Sequence, residues 1–394
     1  FFFFFISFFL LSLLFFMLGI RKSLNQSLSQ KNFIFTALSD GIRLDGREFN
    51  DYRDISIELS RDECRSESIV KIGTTRVLCI VSAEIVVPYP DRPTEGILQF
   101  SVDISLETEQ AGYTSSLLCR MLERSIRDSE AIDTESLCII AGERVWNVLC
   151  DVRVINYGGN VLDGCNLATM SALRAFRKPE VSVSRHDTPG GYSYPVIKLH
   201  NTDEREPLPL ALHHIPLAIT YGIIGIKQHH MKGKKITQIE QNDNSGVIIL
   251  SDPMDEEETI LDGTITFSVN AHRELCAILK PGGISLSTET ILSIGSKAIE
   301  RSIELHSYLN NSIQLLDQSY HETRLERLEI LRKLRILQDQ YQKSINGELD
   351  IKNSDSNNEN NNNIEEIEEA GIDIDDPILQ YNYNHATVAS KSKK

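Results

Sequence analysis

Along this chain the apolar residues recur either every second position or at helical spacing, and each change of period predicts a new element. Ile55, Ile57 and Leu59 alternate with polar residues and predict a first strand. Ile69 to Ile72 and Arg76 to Ser82 flank Gly73-Thr74-Thr75, the pattern of a β-hairpin. Ile97 to Leu106 reads as a further strand. Ser115 to Arg127 reads as a helix, with Leu117, Leu118, Met121, Leu122 and Ile126 turned inward. A short helix is expected earlier, over Lys31 to Gly41, with Phe33, Ile34, Ala37 and Leu38 on one side.

The centre of the pattern is Ala141 to Phe176. Leu137 to Ile140 pairs through the turn Ala141-Gly142-Glu143 with a β-branched strand carrying Val145, Val148, Val152 and Val154. Tyr157-Gly158-Gly159-Asn160 ends that strand, because glycines permit the positive φ of a tight turn. Asp163 is expected to cap a helix bearing Leu167, Ala168, Met170, Ala172, Leu173 and Phe176, stopped at Arg177-Lys178-Pro179. Cys165, Ala168, Ser171, Ala172 and Ala175 keep this helix slim enough to lie close to a sheet. It should therefore sit in the middle of an α/β layer.

The second half repeats the layout loosely. Ile215 to Ile226 and Val247 to Leu250 read as strands, and Ser251-Asp252-Pro253 as a turn before an acidic loop. Thr264 to Val269 and Glu274 to Leu279 form another hairpin, and Thr288 to Leu305 a helix. Arg185 to Tyr194 and Lys227 to Asn244 are polar insertions expected on the surface. Tyr320 to Tyr341 reads as a separate charged helix with Leu325, Leu328, Leu331, Leu334 and Leu337; docking on the domain and docking on a partner both stay open. The expected organisation is an apolar extension over 1–30, a main domain over 31–305, a helical extension over 306–345 and an Asn-rich, acidic, disordered tail over 346–394.

Composition changes this picture in three places. Phe1 to Ile20 is almost wholly apolar, and about 20 such residues suffice to span a bilayer. Nothing basic precedes the run, and a polar spacer follows it. Residues 1–30 are therefore expected to be non-native or unstructured, and no membrane is expected as a partner. The net charge is −16, of which Glu348 to Asp376 carries −10. This balance argues against a free-standing nucleic-acid binder and leaves room for a local basic patch. The seven cysteines show no C-x-x-C spacing and read as free, mostly buried thiols in a reducing compartment.

Arg43, Asp45-Gly46-Arg47, Asp51, Arg53 and Ile55, then Gly73-Thr74-Thr75-Arg76-Val77, resemble the opening of the RNase PH family. Glu123-Arg124-Ser125-Ile126-Arg127 is similar to that family's basic helix. Asp151-Val152 and Gly158-Gly159-Asn160 fall where its central strand and turn lie. Arg43 to Arg47, Ile132 to Cys138 and His213-His214-Ile215-Pro216 resemble the family's ring subunits in the eukaryotic RNA exosome. The resemblance covers roughly Asn32 to Leu305. It implies an RNase PH-like α/β fold, with βαβ-type halves and mixed sheets packed with helices. It also implies a hetero-oligomeric ring of six such folds around an RNA channel. The implied partners are other RNase PH-like exosome subunits, cap subunits, an associated exoribonuclease and single-stranded RNA. The implied location is the nucleus, with its nucleolus, and the cytoplasm.

The resemblance also supplies a test for phosphorolysis. Active members bind phosphate at a Gly-Thr-Arg turn and place an acid before a Pro-hydrophobic-Ala strand. Here the turn reads Gly159-Asn160-Val161, and His214 stands before Pro216-Leu217-Ala218. No catalytic residue, cofactor or metal is therefore expected, against the alternative of an active phosphate-dependent 3′ exoribonuclease. Arg120, Arg124 and Arg127 share one helix face and are the expected RNA-binding residues; a plain solvated face is the competing reading. His213-His214 and His229-His230 are not expected to converge on a metal, since neighbours in a strand point to opposite faces. Arg43, Asp45, Arg47, Asp51 and Arg53 are read as a structural charge network anchoring the first strand.

Overall fold

A computed structural model describes residues 27–62, 64–104, 111–187, 193–202, 204–225 and 246–351. The chain divides into two units, 1–324 and 325–394. Phe1 to Ile20, the insertion Lys227 to Asn244 and the tail from residue 352 lie outside the described residues, while 346–351, expected in the disordered tail, are helical. No described helix is long and apolar enough to cross a membrane.

The first unit begins with helix α1 (Leu28–Ser39), capped by Ser27, whose hydroxyl accepts the Gln30 N–H. Strands β1 (Ile55–Arg61), β2 (Arg65–Ile72), β3 (Thr75–Val86) and β4 (Ile97–Ile104) follow. Helix α2 (Ala111–Ile126), β5 (Cys138–Ile140) and β6 (Arg144–Asn156) complete the first layer. They form a sheet in the order β1-β2-β3-β6-β4, with β5 on β6. Its ladders are antiparallel except β4 with β6, which is parallel. Alternation decides its faces: Leu98, Phe100, Val102 and Ile104 of β4 are buried, and the residues between them are exposed.

Helix α3 (Val161–Ala175) leaves β6 through the glycine turn. Every residue in it but Arg174 is buried, because one side packs on β2 and β3 and another on the second sheet. The small residues permit this. Ser66 of β2 donates its hydroxyl to the Ala172 carbonyl at 2.7 Å, which needs close contact of strand and helix. Asp163 does not cap α3. Asn160 is the N-cap, and Asp163 sits buried in the first turn, facing the second sheet.

After β7 (Arg177–Lys178), β8 (Val181–Asp187), β9 (Ser193–Leu199) and β10 (Leu208–Pro209) comes the second main sheet. It comprises β11 (Leu217–Gly225), β12 (Val247–Ser251), β13 (Gly263–Val269) and β14 (Leu275–Leu279), with the short helix α4 (Asp255–Glu258) after β12. Its order is β12-β11-β13-β14, antiparallel throughout. All nine residues of β11 are buried, as befits a central strand covered on both faces. The expected loop near Arg185 to Tyr194 is in part a hairpin, with Arg185 opposite Pro195 and Asp187 opposite Ser193.

Two separate helices were expected after Thr288, and the structure has one, α5 (Thr288–Ile351). No glycine or proline interrupts it between Gly295 and Gly347, so nothing local ends it. Ile294 and Ala298 pack on the second sheet, and Leu309 and Ile313 join the core of the first. Arg61 and Arg177 both reach Asp317, at 2.6 and 3.3 Å, and Arg61 lies over the Tyr320 ring. The described part of the second unit, 325–351, is helical, with Leu325, Ile330 and Ile336 about half exposed.

Candidate functional site

Three glycine-turn features position the site. Gly158 lies so close to Thr74 that a Cβ would stand 2.1 Å from its hydroxyl. Gly159 has φ +85° and a Cβ there would meet Asp255 N at 2.4 Å. Asn160 adopts the left-handed conformation at φ 52°, which asparagine tolerates better than most residues. The turn is thereby pressed against the 253–255 segment of the second half.

Polar groups from both halves converge there. Arg53 grips Asp252 with Nε and Nη2, each at 2.7 Å, and donates Nη1 to the Gly158 carbonyl at 2.7 Å. Asn160 Nδ2 donates to Asp163 and Asp252, both at 2.8 Å. The Asn160 backbone N–H donates to Glu258 at 2.7 Å, and the Tyr157 hydroxyl bonds the same carboxylate. Asp163 also accepts the Thr220 N–H at 2.9 Å and the Thr220 hydroxyl at 2.6 Å. Behind this cluster, Arg43 pairs bidentately with Glu257 at 2.9 and 2.6 Å, both side chains wholly buried, and donates to the Ser251 and Asp252 carbonyls.

Electrostatics separates the carboxylates. Burial pushes Asp163 up to about 7, only partly offset by its hydrogen bonds from Thr220 and Asn160. Burial also works on Asp252, but the Arg53 hydrogen bonds and charge outweigh it and hold the group below its ordinary value. Burial raises Glu258 despite its bonds to Tyr157 and Asn160. The cavity beside the cluster has a volume of about 20 Å³, room for one water.

The structure corrects the sequence reading of these positions. Asp163, which the sequence suggests as a helix cap, stands at the turn together with Asp252 and Glu258. By sequence alone Asp252 and Glu258 fall in a turn and an acidic loop. A signal existed: a cluster of acids directly after the buried strand β12. The charge network around Arg43, Arg47 and Arg53 is structural, but it ties the first strand's approach to Asp252 and Glu257 of the second half. His213 and His214 are not in a strand, and both line one cavity with His272. Among the described residues no group of three or more His, Cys, Asp and Glu is placed to hold a metal ion.

Arg120, Arg124 and Arg127 are all exposed, on α2 and the turn that follows it. Arg127 pairs with Glu123 at 3.2 Å. The opposite face of α2 is internal: Ser125 bonds Ser268 at 2.9 Å and accepts from Asn166 at 3.2 Å. None of the three arginines joins the network at the turn. Cys79, Cys150 and Cys165 are buried, and Cys64 is exposed.

Comparison with known proteins adds to this geometry. Residues 51–179 match domain 1 of the 3′ exoribonuclease family, and 214–301 match its domain 2. The chain is 33% identical to the exosome complex component RRP45A of Arabidopsis thaliana, over 79% of this chain and 94% of that protein. It is 36% identical to human RRP45, over 67% of this chain but only 54% of the human protein. Among solved structures it is similar to a chain of the Archaeoglobus fulgidus exosome with RNA bound to the active site. There the TM-score is 0.55 and the identity 25%, covering 71% of this chain and 97% of the archaeal one.

Proposed function

Since the chain belongs to the 3′ exoribonuclease family of RNase PH type, we propose that it is a non-catalytic ring subunit of an RNA exosome. Within the ring it takes the place of exosome component nine, the smaller PM/Scl autoantigen. Its work is structural support of 3′-to-5′ RNA processing and degradation. Its partners are other RNase PH-like subunits, cap subunits, an associated exoribonuclease and single-stranded RNA, in the nucleus, nucleolus and cytoplasm.

One observation carries the non-catalytic reading. The Asn160 N–H, at the turn where active relatives hold phosphate, is occupied by the chain's own Glu258 carboxylate. An incoming phosphate would have to displace Glu258 and would meet Asp252 beside it. Charge of the same sign in a site walled by backbone repels an anion. The carboxylates Asp163, Asp252 and Glu258 are what favours the alternative, an active phosphate-dependent exoribonuclease. Each is already engaged: Asp252 by Arg53, Asp163 by Thr220, and Glu258 by Tyr157 and Asn160. The purified chain, given single-stranded RNA and inorganic phosphate, is expected to release no nucleoside diphosphates. Phosphate-dependent shortening that survives stringent purification would establish the enzyme instead.

Arg120, Arg124 and Arg127 serve in this reading as contacts to RNA phosphates. They are exposed, so exchanging all three for Glu should leave the fold intact, at about 1 kcal/mol or less each. The assembled ring should then bind RNA more weakly and with a flatter salt dependence, because fewer counterions are released. Unchanged affinity and salt slope in an intact ring would reduce these arginines to a solvated face. Failed assembly would make them interface residues.

A further inference from the structure

The described part of the second unit is the stretch 325–351 of α5, and its apolar residues do not gather on one face. Leucine recurs at every third position: Leu325, Leu328, Leu331, Leu334 and Leu337. An α-helix takes 3.6 residues per turn, so a repeat of three steps backward by about 60° each time. The leucines therefore form a track that winds through about 240° of the helix surface over about 18 Å. Leu325 and Leu337 are exposed, as are Ile330 and Ile336 beside them, while Leu328, Leu331 and Leu334 are half-buried. A run of large apolar side chains left open to water marks a surface that receives another segment.

Cations border the track. Residues four apart on a helix are neighbours, which sets Arg327 and Arg335 beside Leu331, Arg332 beside Leu328, and Lys333 beside Leu337. Glu326 and Glu329 are the acids of the same stretch, so Leu325 to Leu337 carries a net charge of +2. The surface suits a segment that alternates apolar residues with carboxylates.

The chain carries such a segment. Ile364-Glu365-Glu366-Ile367-Glu368-Glu369-Ala370 places an apolar residue at every third position with two acids between, the same repeat as the leucines. Ile372 and Ile374 follow, among Asp373, Asp375 and Asp376. Ile364 to Asp376 holds seven carboxylates and no cation. Alone, a stretch of this composition buries too little apolar area to hold a fold, and the leucine track offers what it lacks. The connection between them is long enough. From Ile351 back to Leu337 the helix measures about 21 Å. Lys352 to Asn363, twelve polar residues, spans about 19 Å on average as a flexible linker. We propose that Ile364 to Asp376 folds back and docks on the Leu325 to Leu337 track of its own α5. Both partners belong to the second unit, and the contact depends neither on ring membership nor on the non-catalytic reading. Its charges are exposed, so it exchanges between bound and free and weakens with salt. While bound, it covers the track against other acidic or apolar partners.

The test places the photocrosslinker p-benzoylphenylalanine at Ile336 of the full-length chain and identifies the captured peptide by mass spectrometry. Copies of two isotopic compositions are mixed, so that capture within one copy and capture between copies are told apart. The expected product joins position 336 to a peptide within 364–376 of the same copy. Its yield should fall several-fold between about 0.1 and 1 M salt, as the screening length shrinks from about 10 to 3 Å. Replacing Glu365, Glu366, Glu368 and Glu369 with Lys should lower the yield by about tenfold or more, since four attractions become repulsions. Adding Arg327→Glu, Arg332→Glu, Lys333→Glu and Arg335→Glu to that variant should restore most of it, because the charges then match again. Far-UV circular dichroism confirms that each variant keeps its helix content. Capture confined to pairs of different copies would overturn the proposal and make the track a self-association surface. Absence of any 364–376 product would overturn it too, as would a yield that charge reversal leaves unchanged or that the swapped charges fail to restore.

Discussion

Arg43→Ala will destabilise the first unit by about 3–5 kcal/mol, the cost of leaving one member of a buried ion pair unpaired. Arg43 and Glu257 have no exposed side-chain surface, and two hydrogen bonds at 2.9 and 2.6 Å join them. Removing the guanidinium strands the Glu257 charge in a low-dielectric interior. It also deprives the Ser251 and Asp252 carbonyls of donors at 3.0 and 3.1 Å. Glu257→Ala should cost a similar amount for the reciprocal reason. Urea unfolding gives the measurement, with the midpoint falling and the slope unchanged. The double variant Arg43→Met/Glu257→Met should recover much of the loss, since apolar groups of similar volume leave no charge behind. Recovery will be partial, because the Ser251 carbonyl loses its Arg43 donor and the Asp252 carbonyl keeps only Arg47 Nη2, at 3.3 Å. A single Arg43→Ala variant as stable as the parent would show that the pair is not buried in solution.

The second large effect is a pH dependence centred on Asp163. Its value rises from 3.8 when unfolded to about 7 when folded, because burial penalises the charged form. The folded state therefore holds a proton that the unfolded state has released. The stability from this group is fully present below the unfolded value and is lost as pH rises through the folded one. The loss across that window is on the order of 4 kcal/mol. Asp163→Asn should flatten the slope between about pH 4 and 7. Its amide oxygen can accept from Thr220 N–H and Asn160, and its NH₂ can donate to the Thr220 hydroxyl, which then donates to Thr266, 2.8 Å away. Asp163→Ala should instead destabilise at every pH, by about 1–3 kcal/mol for each group left without a partner. If Asp163→Asn keeps the parental slope, the buried carboxyl is ionised throughout and the assignment fails.

Both effects rest on residues whose partners lie far away along the chain, and this marks where sequence reading stops. Asp163 follows a glycine turn and opens a helix, so local chemistry reads it as a cap. Its actual partner, Thr220, stands 57 residues on. Asp252 and Glu258 lie in a short acidic run that locally resembles a solvated loop. Only the packing of the 253–255 segment against Gly159 brings them to Arg53 and the Asn160 N–H. His213-His214 was read with strand periodicity, and the absence of a strand there lets both rings line one cavity.

The apolar period by itself determined which face of β4 is inward, because alternation is a property of neighbouring residues. The run of small residues in α3 likewise determined that this helix would lie close to a sheet. The Arg43 to Ile55 and Gly158-Gly159-Asn160 motifs carried the family, because they report backbone conformation and charge at short range. Tertiary structure alone decided the chemistry of the turn. A carboxylate's ionisation depends on what excludes water from it and what donates to it, and those groups come from the other half of the fold. It also decided that the last helix runs unbroken from Thr288 to Ile351, since the contacts of Ile294, Leu309 and Asp317 with three different parts of the first unit hold its first half in place.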